Sequence, residues 1–332
     1  MSALGEIVNT CLKYGGFAAT RVITRSHPRI YMYHSFSKDV TPGSVDRDLF
    51  DWQLKNIKRN YKILSFKELS QKLLHENKNV NNTAVITVDD GYRNFYEHAF
   101  PVLKENNVTA SLYVTTEFID KKIWLWPDQL KYLVKKSEGR LKQLSLREDA
   151  PSLTGNDGED WQVLNDFCLK LPNSEKLIFI RDLSERLNID LSSPPAEYSA
   201  CSWAELEEMQ DYGIEIGGHT LSHPSLTTLS ENEAWLEIKG SFDRLQEKLG
   251  PIDRTFCYPN GQPTDYSKKL KVLVEQAGFL NAATAFFDAK TVEYPFAWRR
   301  YDGTKNGIDF FRTLYGVEFL GFALRNNVKC TY

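Results

Sequence analysis

The chain has 332 residues, of which 42% are hydrophobic, enough to bury the core of one large domain or of two small ones. Its net charge is −3, so there is no basic excess to attract nucleic acid. The five cysteines include no Cys-x-x-Cys pair, which predicts free thiols in a reducing compartment. No apolar run approaches the roughly 20 residues of a transmembrane segment, so none is expected.

The first 23 residues lack the continuous apolar segment of a signal peptide. They carry a weak apolar stripe at helical spacing, at Leu4, Val8, Cys11 and Leu12. Such a stripe is more typical of a helix that packs against its own protein than of a membrane anchor. We therefore expect a cytoplasmic protein, with a peripheral position at the inner membrane face as the alternative.

Short apolar or β-branched runs alternate with helical patterns along most of the chain, which is typical of α/β proteins with a parallel sheet. The predicted strands are Ile30–His34, Lys62–Phe66, Ala84–Asp89, Thr109–Val114, Ile214–Gly218, Thr255–Tyr258 and Phe279–Ala283. The predicted helices are Leu49–Arg59, Phe66–His75, Tyr92–Glu105, Trp203–Gln210, Glu231–Leu249 and Tyr266–Ala277.

The stretch 121–196 interrupts this alternation with charged residues and helical patterns at Asp128–Lys136, Trp161–Leu171 and Glu175–Leu187. It ends in a linker-like Ser-Pro-Pro run at 193–195. We predict a helical insertion within one domain that spans 1–332. The insertion is expected to be either a lid or specificity element beside the active site, or a subdomain with no role in function.

The apolar, β-branched run Thr83–Val88 predicts a buried strand that ends at Asp89 and Asp90. Carboxylates at the carboxyl end of such a strand lie where α/β barrels keep their chemistry. Because side chains alternate along an extended chain, Asp89 and Asp90 are not expected to share one role. Taken alone, the pair is equally typical of a helix N-cap.

His219 and His223 follow a strand that ends in two glycines, which allow the backbone to pass close to a neighbour. In a helix, their spacing would direct both rings to one side. Thr220 stands where a zincin carries glutamate, so that class is excluded. With six histidines in the chain, this pairing predicts metal ligands rather than two unrelated loop residues. Together with a carboxylate, they form a mononuclear set suited to hydrolysis.

Three motifs, in order, resemble those of the polysaccharide deacetylases, the NodB-homology or family-four carbohydrate esterases. Thr87–Gly91 is similar to their T-F-D-D-G motif, His219–Pro224 to H-[ST]-x-x-H-P, and Arg254–Gly261 to an F-x-Y-P-x-G form of the third motif. The resemblance runs from about Ile30 to Tyr301 apart from the insertion. It implies a distorted (β/α) TIM-like barrel of about seven parallel strands. The implied activity is metal-dependent removal of an N-acetyl group from an acetamido sugar, in a glycan or glycan precursor.

The resemblance also implies roles for single residues. Asp89 matches the general base, and Asp90, His219 and His223 match the three metal ligands. Zinc is the expected ion, while iron, cobalt and nickel also suit two imidazoles and one carboxylate.

The segment Arg29–Ser35 resembles an L-x-Y-H element of a permuted branch of the family, in which a histidine on the first strand acts as general acid. His34 is therefore the expected acid, since the leaving amine must be protonated. No histidine follows His223 to take the usual place. The alternative is a strand-end histidine that only packs.

The third motif departs from the family pattern. Cys257 and Asn260 stand where many members carry arginine and tyrosine. Arg300 is the nearest candidate to replace that arginine and orient the base, and the alternative is a solvated basic surface at Arg299 and Arg300. The Asn260 N–H is expected to stabilise an oxyanion, and Tyr258, at the same strand end, to line the substrate site.

Most deacetylases of this type are secreted, so the lack of a signal peptide favours an intracellular substrate, such as a nucleotide-linked or lipid-linked precursor. Two alternatives stay open. One is an O-acetyl esterase or another amide hydrolase of the same fold. The other is a non-catalytic carbohydrate-binding relative, suggested by Cys257 in place of arginine, although a pure binder has no need of Asp89 as a base.

Overall fold

A computed structural model describes residues 17–41, 43–74, 80–288 and 295–326. The strands in chain order are β1 (Arg29–Tyr33), β2 (Phe36–Ser37), β3 (Val45–Asp46), β4 (Lys62–Ile63), β5 (Thr83–Val88), β6 (Ser111–Val114), β7 (Glu215–Gly218), β8 (Thr255–Cys257), β9 (Asn281–Ala283) and β10 (Tyr301–Asp302). Seven strands run in the order β10-β1-β5-β6-β7-β8-β9, with β4 also paired to β5. A separate two-stranded sheet joins β2 and β3.

All pairings within the large sheet are parallel. The carboxyl ends of its strands therefore lie along one edge, as in a barrel whose chemistry is kept at that end. The curled sheet with helices around it confirms the predicted distorted (β/α) barrel. Every residue of β5, β6 and β7 is buried, which suits the mostly apolar, β-branched sequence of β5.

Helices pack around this sheet and follow the strands in the order expected of an α/β protein. They are α1 (Phe17–Ile23), α2 (Arg47–Asn60), α3 (Phe66–Leu74), α4 (Phe100–Asn106), α5 (Thr116–Ile119), α6 (Trp126–Ser137), α7 (Asp157–Lys170), α8 (Asn173–Leu187), α9 (Trp203–Tyr212), α10 (Glu231–Leu249), α11 (Lys268–Ala277), α12 (Gly307–Leu314) and α13 (Val317–Arg325).

Two predicted elements differ from the structure for local reasons. The strand expected at Lys62–Phe66 ends at Ile63, because Ser65 and Glu68 exchange hydrogen bonds that begin α3. The helix expected at Tyr92–Glu105 starts with a π-helical turn at Phe95–Ala99. Pro101 lacks an N–H and its ring would clash with the carbonyl four residues earlier, which favours the wider turn before α4.

The prediction also missed the last part of the described chain. β10 pairs with β1 and is only two residues long, too short for a periodic pattern to reveal. The helices α12 and α13 follow it. The apolar stripe expected in residues 1–16 lies outside the described residues.

Helices α6, α7 and α8 lie inside the 121–196 stretch and pack around a small apolar core of their own. This core includes Trp126, Leu130, Leu164, Phe179 and Leu183. In the described ranges, no helix combines the length and the apolar composition that crossing a lipid bilayer requires.

Candidate metal centre and active site

Four of the predicted site residues follow directly after strands of the large sheet. His34 follows β1, Asp89 follows β5, His219 follows β7 and Tyr258 follows β8. The Asp89 N–H donates to the Tyr33 carbonyl at 3.0 Å, which ties the β1 and β5 ends together. Parallel pairing therefore gathers residues that are more than 200 positions apart in sequence at one edge.

A tight turn separates the roles of the two adjacent aspartates. The Gly91 N–H donates to the Asp89 carbonyl at 3.0 Å, and Asp90 has a φ of +78°, so Asp90 is the centre of a γ-turn. Gly91 has a φ of +93°, and a Cβ there would lie 3.0 Å from Val114. Backbone of this kind is costly and occurs most often at functional sites. The turn separates Asp89, which pairs with Arg300, from Asp90, which faces two imidazoles.

Asp90, His219 and His223 converge as a possible ligand set, and all three are buried. The Asp90 Oδ1 lies 3.3 Å from His219 Nε2 and 3.4 Å from His223 Nε2. These separations exceed the usual N–H···O distance of about 2.9 Å. A tetrahedral ion with bonds of about 2.0–2.1 Å separates neighbouring donor atoms by about 3.3–3.4 Å. The spacing therefore fits a shared divalent ion better than a set of hydrogen bonds.

The hydrogen bond of His219 defines which nitrogen is free to bind a metal. Its Nδ1 lies 2.8 Å from the Cys257 carbonyl oxygen. A carbonyl only accepts, so Nδ1 carries a proton, and Nε2 is the nitrogen that faces Asp90. Metal-bound histidines usually have such a partner for the second ring nitrogen, which fixes the ring and its tautomer.

The segment that carries His219 and His223 is not helical, so the condition for placing the two rings one helical turn apart is not met. The segment after β7 is a loop, in which Thr220 and His223 have φ values of +66° and +60°. The Glu237 carboxylate on α10 holds the loop by accepting from the main-chain N–H groups of Leu221 and Ser222 at 2.9 Å each. The loop brings both rings to Asp90 without a helix.

The local electrostatics favour the ligating forms of Asp90 and His223. Burial would lower the pKa of His219, but Cys257 and Asp90 outweigh it and hold that pKa well above its usual range. Burial would raise the pKa of Asp90, but the two imidazoles outweigh it and hold that pKa well below its usual range. Burial lowers the pKa of His223, so its ring is neutral at physiological pH. An anionic carboxylate and a neutral imidazole are the forms that bind a metal.

A second cluster of ligand atoms, Asp89, His219 and Cys257, shares one histidine with the first. Burial raises the pKa of the Cys257 thiol, which disfavours the thiolate that metals bind. Both oxygens of Asp89 already accept from Arg300. The set that contains Asp90 is therefore the better metal site.

Arg300 is buried and pairs with the predicted base, so the alternative of a solvated surface is wrong for this residue. Its Nη1 and Nη2 each lie 2.7 Å from one oxygen of Asp89, and Nη1 also donates to Thr87 Oγ1 at 3.0 Å. Burial alone would raise the pKa of Asp89, but this guanidinium outweighs it and holds the pKa below its usual value. Arg299 is partly buried and pairs with Asp288 instead.

His34 lies beside the same carboxylate and remains open to solvent. Its Nε2 is 3.7 Å from Asp89 Oδ2, and 44% of its side chain is exposed, against 2% for Asp89. Among the described residues, the two clusters with ligating geometry do not include His34. The placement suits a group that meets substrate at the mouth of the site.

Asn260 and Tyr258 lie in the segment after β8 and differ in their contacts. Asn260 has a φ of +60°. Within the residues that the structure describes, its main-chain N–H and its buried Nδ2 have no hydrogen-bond partner. The Tyr258 hydroxyl donates to the Phe296 carbonyl at 3.2 Å, and its ring is buried in the core. Asn260 thus has a donor available, whereas the Tyr258 hydroxyl is occupied.

The sequence reasoning missed Thr87 and Glu237. Thr87 lies in the apolar strand β5, where a hydroxyl that accepts from Arg300 is a visible exception. Glu237 is a carboxylate on the mostly buried side of α10. A charged residue within the apolar stripe of a helix is the sequence feature that could have identified it.

The fold and the site together define a class: α/β barrels that carry two histidines and one carboxylate at the carboxyl ends of their strands. The family model of the polysaccharide deacetylases matches residues 76–139 and 183–282. The chain belongs to this family. The unmatched residues between these two segments lie in the helical stretch that includes α7.

One curated relative is similar to part of this chain. YxkH of Bacillus subtilis (strain 168), which is described as a polysaccharide deacetylase, is 34% identical to this chain over 103 residues. The aligned part is 31% of this chain and spans 37% of that protein's length.

Three solved structures share the fold. The deacetylase PplD of Streptococcus pyogenes, in complex with acetate, has a TM-score of 0.54 and 18% identity over 82% of this chain and 91% of its own. IcaB from Ammonifex degensii has a TM-score of 0.55 and 17% identity, with coverages of 87% and 95%. A de-N-acetylase from Aggregatibacter actinomycetemcomitans has a TM-score of 0.56 and 14% identity, with coverages of 86% and 99%.

Proposed function

We propose that this protein removes the N-acetyl group from an acetamido sugar of a glycan or glycan precursor, and that it uses one divalent metal ion, with zinc as the first choice. The observation that carries the proposal is the placement of Asp89 between Arg300 and His34, next to the ligand set of Asp90. Among the structures of the same fold, the de-N-acetylase supports N-deacetylation, and the acetate-bound deacetylase supports release of acetate without distinguishing the bond cleaved.

The metal would be held by Asp90, His219 and His223, and when bound it would polarise the acetyl carbonyl and acidify a water molecule. Asp89 is ionised at neutral pH and accepts the proton of the attacking water. Arg300 grips both oxygens of Asp89 and fixes their orientation.

Two further groups complete the proposed reaction. The Asn260 N–H is free to donate to the oxygen on which negative charge develops. His34, exposed at the mouth, donates a proton to the departing amine nitrogen. The products are acetate and an amino sugar.

The alternative of a non-catalytic carbohydrate-binding relative rested on Cys257 at the usual arginine position. Arg300 supplies a guanidinium to Asp89 from elsewhere in the chain, and its Nη2 lies 3.1 Å from Cys257 Sγ. The reason for that alternative is therefore removed. An O-acetyl esterase of the same fold remains to be tested directly.

The test is an acetate-release assay with matched N-acetyl and O-acetyl sugars, each offered free, nucleotide-linked and lipid-linked. We expect release from the N-acetyl substrates, loss after chelation and recovery with zinc, together with about one metal ion per chain. The double variant His219→Ala, His223→Ala should bind no metal at this site. Faster release from the O-acetyl series would favour the esterase, and unchanged metal content in the double variant would refute the proposed centre.

A further inference from the structure

The helical stretch 121–196 contacts one of the proposed metal ligands. The indole N–H of Trp126, at the start of α6, donates to the main-chain oxygen of His223 at 3.1 Å. Trp126 is 3% exposed and belongs to the apolar core that α6, α7 and α8 share. The hydrogen bond therefore joins the core of the insertion to the loop that carries the ligand.

His223 lacks the support that His219 has. The Nδ1 of His219 donates to the Cys257 carbonyl, whereas among the described residues the buried Nδ1 of His223 has no hydrogen-bond partner. A hydrogen bond at this nitrogen is the usual means of orienting a metal-bound imidazole. The direction of the His223 ring must therefore depend on its main chain.

The main chain of His223 is held on both sides. Its φ of +60° is unfavourable for a residue with a side chain, so neighbouring contacts must maintain it. The His223 N–H donates to Thr220 Oγ1 at 3.0 Å, and its carbonyl accepts from Trp126. Thr220 belongs to the same loop, so Trp126 is the contact that comes from a separate packed element.

The Trp126 indole is itself fixed in place. The Lys176 Nζ on α8 lies 4.5 Å from its ring centroid, and Lys176 is fully buried. A desolvated ammonium over an indole face is strongly attracted to it. The ring is thus held between α6 and α8 and has little freedom to leave His223.

We propose that Trp126 is a positioning residue for the metal ligand His223, so that the insertion is part of the metal centre. This inference rests on the proposed metal-dependent function. It assigns to the insertion a task in ligand geometry, distinct from that of a lid or of a subdomain without a role.

The test compares Trp126→Phe with Trp161→Phe in the full chain. Trp161 lies in the same insertion, and its indole also donates to a main-chain oxygen, that of Pro127, at 3.4 Å. We expect the zinc Kd of Trp126→Phe to rise about 10-fold or more, the scale for losing a group that orients a ligand, with little change for Trp161→Phe. The visible spectrum of bound cobalt should change in Trp126→Phe alone, because it reports ligand geometry.

A second variant guards against a folding defect. Benzothienylalanine at position 126 keeps the shape of the indole but has sulfur in place of the N–H, and it should reproduce the weaker zinc binding. Wild-type affinity and cobalt spectrum in this variant would overturn the inference while leaving the proposed function intact. A wild-type protein that binds no metal at Asp90, His219 and His223 would instead refute the proposed function.

Discussion

The pairing of Arg300 with Asp89 shows how one side chain can reach its place from an unexpected part of the chain. Arg300 lies just before β10, while Cys257 ends β8, where many family members carry the arginine. The small Cys257 side chain leaves room for the guanidinium, which also donates to the Thr284 carbonyl. A guanidinium thus pairs with Asp89 from the segment before β10 instead of from the end of β8.

The Arg300→Lys substitution should shift the acidic limb of the pH–rate profile. Lysine retains the charge but loses the two parallel hydrogen bonds, so the pKa of Asp89 should rise. The base works only when it is ionised and activity is lost as the pH falls through that pKa, so the limb should move to higher pH, by about one pH unit. Arg299→Lys, whose arginine pairs with Asp288, is the matched control and should leave kcat/KM against pH unchanged.

The Asp89→Asn substitution should lower kcat by about 10²–10⁴-fold, because the amide cannot accept the proton of water. Metal content, measured by elemental analysis, should stay near that of the wild type. The free energy of unfolding should fall, since Arg300 keeps a buried charge without its anionic partner. If Asp89→Asn loses metal while Asp90→Asn keeps it, the two roles are reversed.

The His34→Ala substitution should lower kcat by about 10²–10⁴-fold without changing metal affinity. His34 lies 3.7 Å from Asp89 and is not part of the Asp90 ligand set. Near-normal kcat in this variant would leave the general acid to be sought elsewhere.

At the scale of elements, helices α6, α7 and α8 of the 121–196 stretch share an apolar core that encloses a charged side chain. Lys176 lies in this core on α8, and among the described residues its Nζ has no hydrogen-bond partner. Burial lowers the pKa of Lys176 to about 8, against an ordinary value of 10.5. The charged form is therefore costly in the folded protein, and the Trp126 ring offsets part of that cost.

The Lys176→Met substitution should raise the free energy of unfolding by about 1–2 kcal/mol at pH 7, because it replaces a desolvated charge with an apolar group of similar length. The folded chain loses the proton near pH 8 and the unfolded chain only near 10.5. The penalty is thus full below pH 8 and fades as the pH rises toward 10.5. The increase in the free energy of unfolding that Lys176→Met causes should therefore shrink between pH 8 and pH 10.5, as measured by denaturant titrations.

Lys135→Met is the matched control for that measurement. Lys135 lies on α6 in the same insertion, and its side chain is 64% exposed. It should change the free energy of unfolding by no more than about 0.5 kcal/mol at any of these pH values. A destabilised Lys176→Met would mean that the ammonium stabilises the insertion.

At the scale of the whole molecule, the proposed ligand set joins segments that are far apart in sequence. Asp90 follows β5, His219 and His223 follow β7, and β6 lies between these strands in the sheet. A ligand that binds only the folded state stabilises it by mass action. An ion at this set would therefore tie the centre of the sheet to the loop after β7.

Removal of the metal should lower the thermal midpoint by several degrees, since saturation at 1,000 times Kd is worth about 4 kcal/mol. The measurement is thermal unfolding of the zinc-loaded protein with and without a chelator. The midpoint of the double variant His219→Ala, His223→Ala should not respond to the chelator. An equal response in both proteins would place the stabilising ion at another site.

Local patterns in the sequence carried much of the architecture. The β-branched run that becomes β5 is fully buried, and α10 covers the predicted range Glu231–Leu249, since a capping box at Ser230 and Glu233 marks its start. The strand β10 was not predicted because two residues are too few to show a hydrophobic period. The π-helical turn before α4 was not predicted because it depends on Pro101, whose effect on helix geometry is not visible in a hydrophobic pattern.

Residue types and spacing, by themselves, indicated Asp89, Asp90, His219 and His223 as a candidate site, and the resemblance of the sequence motifs to the polysaccharide deacetylases added His34. The sequence is sufficient for this because the chemistry that a site can perform depends first on which side chains it contains. The tertiary structure alone decided which arginine reaches Asp89, that the histidine loop is not a helix, and that the Trp126 indole donates to the His223 carbonyl. Each of these depends on where separate strands and helices meet, and contacts between distant segments leave no local pattern to read.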